Sequence, residues 1–275
     1  MLGNEPDALI DALLFLGLVA LENNAIGSPD NDDDFVEYLQ SLSLLSSISP
    51  SPTLRYHAHY LTSTILRSHP SDTLRFMFIR DTLQHAPFEN LKASAVGWIK
   101  GETLEANQPR PHPAEDTPNQ TAADGSPDDP KPLFATDLPL ASLAPLLFPN
   151  LTSTYGASNT PTAADHLAAA AASYAALRAN YGFHLAALNL LYLLLLSRPL
   201  HEPLQIRKLA TDADVAAQFV QPLLRAVALF GPLVAPGGAL SEEFGGAGDL
   251  SAVNELEVLG MVAARVEAEI VKLGV

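Results

Sequence analysis

A helical period of apolar residues, restarted at short intervals by capping signals, constrains this chain more than anything else in it. Phe35, Tyr38, Leu39, Leu42 and Leu45 recur at i, i+3, i+4, i+7 and i+10, the spacing that gathers side chains on one face of an α-helix. Asp32, Asp33 and Asp34 fall in the first turn of that helix, where the macrodipole favours negative charge. The next helix opens with Ser51 as N-cap and Pro52 at the first helical position, and buries Leu54, Ala58, Leu61 and Ile65 before Pro70 ends it. A further helix begins at Ser71 or Asp72 and carries Leu74, Phe76, Met77, Phe78, Ile79 and Leu83. "HAPF" then makes a very short connection, so the following helix, with Phe88, Leu91, Ala95 and Trp98 on one face, packs antiparallel to it.

Starts near 33, 52, 72 and 88 put two helices in roughly 36–40 residues, the pitch of HEAT and armadillo arrays. Each such pair leaves an apolar face that only a neighbouring pair can cover, so stacking follows. Almost no stretch alternates with period two, and no sheet is expected. The expected fold is all-α, a HEAT/armadillo-like α-solenoid of about nine helices, with a compact bundle as the alternative.

The rest of the chain extends this reading. A first helix at 6–23 is apolar nearly all round and is expected to be covered on several sides. Residues 1–106 then form N-terminal helical repeats, 107–135 a disordered Pro/Asp-rich insertion, and 136–275 C-terminal repeats of the same continuous domain. Past the insertion come a short helix near 137–148, a polar stretch around 152–160 and an alanine-rich helix from 162. "NYG" at 180–182 reads as a stop or kink, which predicts two helices over 162–197, with one long helix as the alternative. A helix from Asp212 or Asp214 to about Phe230, a glycine-rich loop and a last amphipathic helix at 250–273 complete the expectation.

Composition narrows the function. With 48% hydrophobic and 17% charged residues, the 275-residue chain can bury a large core without staples. It has no cysteine, which removes disulfides, thiolate metal sites and cysteine nucleophiles. The net charge of −16 repels phosphate backbones, so no nucleic-acid partner is expected and basic partners are favoured. The apolar stretch from Leu9 to Leu21 has Glu5, Asp7 and Asp11 around its start, where a secretory leader would carry Lys or Arg. Leu185 to Leu196 is too short for a bilayer span. Both read as core helices, so neither a membrane nor the secretory route is expected, and the sequons at Asn119 and Asn150 carry little weight. The expected compartment is the cytoplasm, with the nucleus as a second.

Motifs for chemistry are missing. The glycines from Gly237 to Gly248 lack a phosphate-gripping lysine, and no G-x-S-x-G elbow occurs. His57 and His59 are two apart and point to different helix faces. In the EF-hand-like run Asp30 to Asp34, Phe35 stands where glycine is required. Glu242 with Glu243 falls in a loop and Glu267 with Glu269 on an exposed face. No catalytic residue, cofactor or metal is assigned, and no enzyme is expected. Trp98 is in register with Phe88, Leu91 and Ala95, which favours a core position over a role as a partner anchor. Arg75, Arg80, Lys92 and Lys100 are basic side chains on helices of an acidic chain; they are the candidate partner contacts, or else pair with neighbours such as Asp72 and Asp81.

The segment from Ser71 to Glu102 contains "F-I-R-D-x-L" at Phe78 to Leu83, "P-F-x-x-L-K" at Pro87 to Lys92 and "V-G-W-I-K" at Val96 to Lys100; "FHLAALNLLYLLL" follows at Phe183 to Leu195. These blocks resemble the family of fungal Yap-binding proteins, plant aberrant-lateral-root-formation proteins and animal glomulin. The resemblance implies a HEAT-like scaffold without catalytic residues. Its fungal branch binds an AP-1-like bZIP stress factor and assists its peroxide-driven oxidation by a thiol peroxidase, and a related branch is associated with kinetochores. Its animal branch grips the RING-box subunit of cullin ubiquitin ligases. The Pro- and Asp-rich linker and "HAPF" favour the fungal branch. Family members are longer than this chain, which predicts that the sequence is a piece of a longer protein; the acidic linker and the missing cysteines depart from the pattern.

Overall fold

Side-chain caps set where three of the helices begin. Asn31 Oδ1 accepts the Asp34 N–H at 2.8 Å, Ser51 Oγ that of Leu54 at 3.4 Å and Ser71 Oγ that of Leu74 at 3.3 Å, each satisfying a donor that the helix leaves open. The computed structural model describes residues 7–26, 31–108, 131–155, 163–244 and 250–274, and among these every regular element is helical. In chain order the helices are α1 (Asp7–Glu22), α2 (Asp32–Ile48), α3 (Pro52–Ser68), α4 (Asp72–His85), α5 (Glu89–Ala106), α6 (Leu138–Leu147), α7 (Ala163–Ala179), α8 (Tyr181–Leu196), α9 (Ile206–Asp212), α10 (Gln221–Val234), α11 (Ser241–Phe244) and α12 (Ser251–Leu273).

The described residues thus hold twelve α-helices where about nine were expected. The short α9 and α11 hold only two turns and one turn, too little for a periodic stripe to show. α11 occupies part of the stretch read as a glycine-rich loop, and α10 runs past Phe230 to Val234 with Pro232 in its last turn. A π-turn at Ala216–Val220 leads into α10. Over 162–197 the chain forms two helices, bent by 58° at Asn180. The expected insertion at 107–135 falls largely outside the described residues. Its last part does not: Leu133–Ala135 form a 3-10 turn, and Phe134 is buried.

Contacts between helices link the chain from α1 to α12. α3 packs against α2 and α1, α5 against α4 and the α2–α3 pair, α8 against α5, and α12 against α8 and α10. α6 bridges α4 and α9. One contiguous core runs from Ile10 to Ile270. At its centre Leu188, Leu190, Leu191 and Leu194 of α8 are wholly buried, because α5 and α12 cover the helix from two sides; this helix is the buried segment that its composition suggested. Ala216–Val234 is long and apolar enough to cross a membrane by length and composition, and it buries Leu223, Ala226 and Phe230 within this core. Trp98 is also buried, its indole N–H donating to Ser63 Oγ at 2.8 Å.

α1 departs from expectation. It buries Ile10 and Leu14 and sits so close to α3 that a Cβ on Gly17 would lie 3.0 Å from Leu61 Cδ1. Its other side is not covered among the described residues: Leu9, Leu13, Phe15, Leu16 and Val19 are all exposed. Apolarity around a helix says that it avoids water, not that a neighbour is there to exclude it.

Candidate protein interface

The four basic candidates have different surroundings. Arg75, with its side chain 13% exposed, donates from Nε to Glu102 Oε2 at 3.0 Å and from Nη2 to Asp72 Oδ1 at 2.6 Å. Its Nη1 donates to the His69 carbonyl, and its guanidinium lies over the Phe134 ring at 5.7 Å. Asp72 in turn accepts the Leu133 N–H at 2.8 Å. Arg67 reaches within 4.0 Å of Glu102 Oε1 from across Gly101, where any Cβ would overlap its guanidinium.

Burial raises the Glu102 carboxyl above its usual range, outweighing the lowering by Arg75 and Arg67. The cavity beside this cluster, about 120 Å³, is well below the roughly 300 Å³ of a ligand pocket. Arg75 therefore ties α4, α5 and the Phe134 turn together; the expected pairing with Asp72 is present, and Glu102, 27 residues away, is the partner that local spacing did not reveal.

Arg80 is exposed, 5.9 Å from the Phe76 ring, while the neighbouring Asp81 pairs with His85 at 2.8 Å. Lys92 pairs with Glu89 at 2.9 Å, and Lys100 is half-buried. Arg75 faces inward and Arg80 lines an open concavity, so these two do not share one surface.

A more coherent surface lies at the α1 end. A groove of about 760 Å³ is walled by Gly17 and Ala20 of α1, Phe35 and Tyr38 of α2 and Ile65 of α3, with Asp32 and Asp34 also lining it. A second concavity of about 520 Å³ between α2 and α4 shares Asp32 and Ser71 with it and adds Asp33, Asp81, Met77 and Arg80. Asp34 is engaged by the Asn31 side chain at 2.8 Å and Asp32 stands 3.6 Å from His69, so the helix-start role expected of the acidic triplet is real. It is not the whole of its effect. Every charged residue in the sequence of α1 and α2 is acidic, and the first Lys or Arg of the chain is Arg55. That guanidinium is occupied at the end of α2, donating to the Ser49 carbonyl at 2.7 Å and that of Pro50 at 3.2 Å. The groove is thus apolar within a negative field. The absence of any cation before Arg55 was the available signal.

One buried polar pair remains. Tyr155 Oη and His184 Nε2 are 2.7 Å apart, with the rings of Phe183 and Phe219 against the imidazole. Burial lowers the His184 pKa to about 4 and, with a contribution from Glu89, raises that of Tyr155 to about 12. The imidazole is neutral at physiological pH, a core member without access to solvent.

The sequence blocks that suggested a family occupy α4, α5 and α8, and α5 and α8 pack directly on each other. Residues 4–232 match the family described as "Uncharacterised protein family, YAP/Alf4/glomulin". The chain belongs to the YAP/Alf4/glomulin family. No curated protein and no solved structure matches it. Membership in the YAP/Alf4/glomulin family points to binding of other proteins.

Proposed function

We propose that this YAP/Alf4/glomulin family member is a non-catalytic helical adaptor, built as a HEAT-like solenoid, that binds other proteins. The family match over residues 4–232 carries the reading. The succession of α2–α3, α4–α5, α8 and α12–α10 supports the solenoid, and the uncovered apolar side of α1 supports a docking role. Within the family the fungal-type role fits best: an adaptor that promotes oxidative activation of an AP-1-like bZIP factor in the cytoplasm and nucleus. A cysteine-free chain serves there as a platform that raises the effective concentration of thiol peroxidase and target without donating a thiol.

Affinity capture from the native cell, with and without peroxide, tests this. A bZIP factor should co-purify, and its oxidation should fall when the adaptor is deleted; unchanged oxidation removes the stress-signalling role. Capture of a cullin RING-box subunit, with loss of ubiquitin-chain formation in a purified assay, would instead establish the glomulin-like inhibitor.

A further inference from the structure

We propose that the groove between α1, α2 and α3 binds an amphipathic helical segment of another protein, one whose apolar stripe is flanked by Lys or Arg. The proposal rests on the adaptor reading and names the chemistry of the partner.

Three observations lead to it. The solvent-facing side of a helix is ordinarily polar, whereas α1 exposes Leu13 and Leu16, the latter by 61%. These stand one turn before Gly17 and Ala20, the α1 wall of the groove, so the exposed leucines continue its apolar lining along the helix. Such a strip accepts the ridge of an apolar helix face.

The second observation selects the sign of the partner. Asp32 and Asp34 line the groove, Asp11 and Glu22 are exposed on α1, and no lysine or arginine occurs in either helix. A second copy would set like charges against each other, and an anionic lipid surface would be repelled in the same way. A basic segment is steered inward. Thirdly, Tyr38, half exposed on the groove wall, offers an aromatic face to a cation at the edge of the strip.

The probe is a fluorescent synthetic helix of roughly eighteen residues with a leucine stripe flanked by lysines, titrated against the full chain by anisotropy. Two controls accompany it: the same helix with glutamates for the lysines, and a composition-matched peptide with its leucines dispersed. The basic amphipathic peptide should bind, and both controls should bind at least about tenfold more weakly. The double variant Leu13→Ser with Leu16→Ser should weaken binding by about tenfold, and Asp32→Asn with Asp34→Asn by several-fold with a reduced salt dependence. Ala20→Trp, which fills the groove without adding charge, gives an independent check should the serine variant lose α1.

Equal binding of the dispersed peptide, or unchanged binding by all three variants, overturns the proposal. So does a wild-type dimer in sedimentation that the serine variant dissolves, or flotation with phosphatidylcholine vesicles that depends on the same leucines. A natural partner that binds wild type and variants alike would remove this groove and leave the adaptor reading standing. Peptide binding as expected, with no natural partner captured, would do the reverse.

Discussion

Arg75 Nε and Glu102 Oε2 meet at 3.0 Å across the α4–α5 contact, both side chains almost out of solvent. Burial raises the Glu102 pKa despite the attraction of the two arginines, so the pair carries a substantial desolvation cost. Arg75→Met should destabilise by about 3–5 kcal/mol, since it leaves the buried Glu102 with only Arg67 at 4.0 Å. Glu102→Leu should cost less, because Arg75 keeps Asp72 at 2.6 Å, and the double substitution should recover most of the Arg75→Met loss. Urea midpoints of the four proteins measure the coupling; additive losses would show that the two residues act independently.

His184 makes stability fall in acid. Its folded pKa of about 4 lies below the roughly 6.5 of an unfolded histidine, so the unfolded chain binds the proton more readily. This stability is full above pH about 6.5 and is lost progressively toward pH 4, a term on the order of 3 kcal/mol. Glu102 acts in the opposite sense: its contribution is full below the unfolded carboxylate value and fades as pH rises through its raised folded pKa. Replacing the pair, His184→Phe with Tyr155→Phe, removes the histidine term without orphaning a hydroxyl. The slope of unfolding free energy between pH 6.5 and 4 should then flatten relative to wild type.

Trp98, the single tryptophan, reports the α3–α5 packing. Its indole donates to Ser63 and its ring lies 5.6 Å from that of Phe78. Native emission should be blue-shifted and move to the red on unfolding. Trp98→Ala should cost about 3–5 kcal/mol. Trp98→Phe should cost less, because Ser63 keeps its own bond to the His59 carbonyl at 2.8 Å.

Two glycines should respond with opposite signs. A Cβ on Gly238 would strike the carbonyl oxygens of Pro232 and Leu233 at the end of α10, and the Leu233 carbonyl also accepts the Leu240 N–H at 2.8 Å. Gly238→Ala should destabilise by about 1–3 kcal/mol. Gly97, exposed within α5, has open space where its Cβ would be, so Gly97→Ala should stabilise by about 0.5–1 kcal/mol. Thermal melts of the two variants read both signs.

The sequence was legible wherever one helix carried its own instructions. Ser51 with Pro52, Ser71 and the Phe35 to Leu45 stripe fixed α2, α3 and α4, because caps and period are local. Relations between helices were not legible. Arg75 and Glu102 are separated by 27 residues and Tyr155 and His184 by 29, and nothing in a 3.6-residue period names a partner so far along the chain. The 152–160 stretch looked merely polar, yet Tyr155 within it and Leu151 beside it are buried. The candidate groove failed to show for the same reason: three helices form it, and α1 alone looked like core.

The placement of α8 couples the two ends of the chain. Its leucines are sheltered on one flank by α5 and on the other by α12, so neither half can melt without wetting the same row of side chains. A polypeptide ending at residue 108 would present the naked flank of α5, and one starting at 131 the naked flank of α8. Expressed separately, such halves should be sticky and poorly soluble; co-expressed, they should reassociate through that seam.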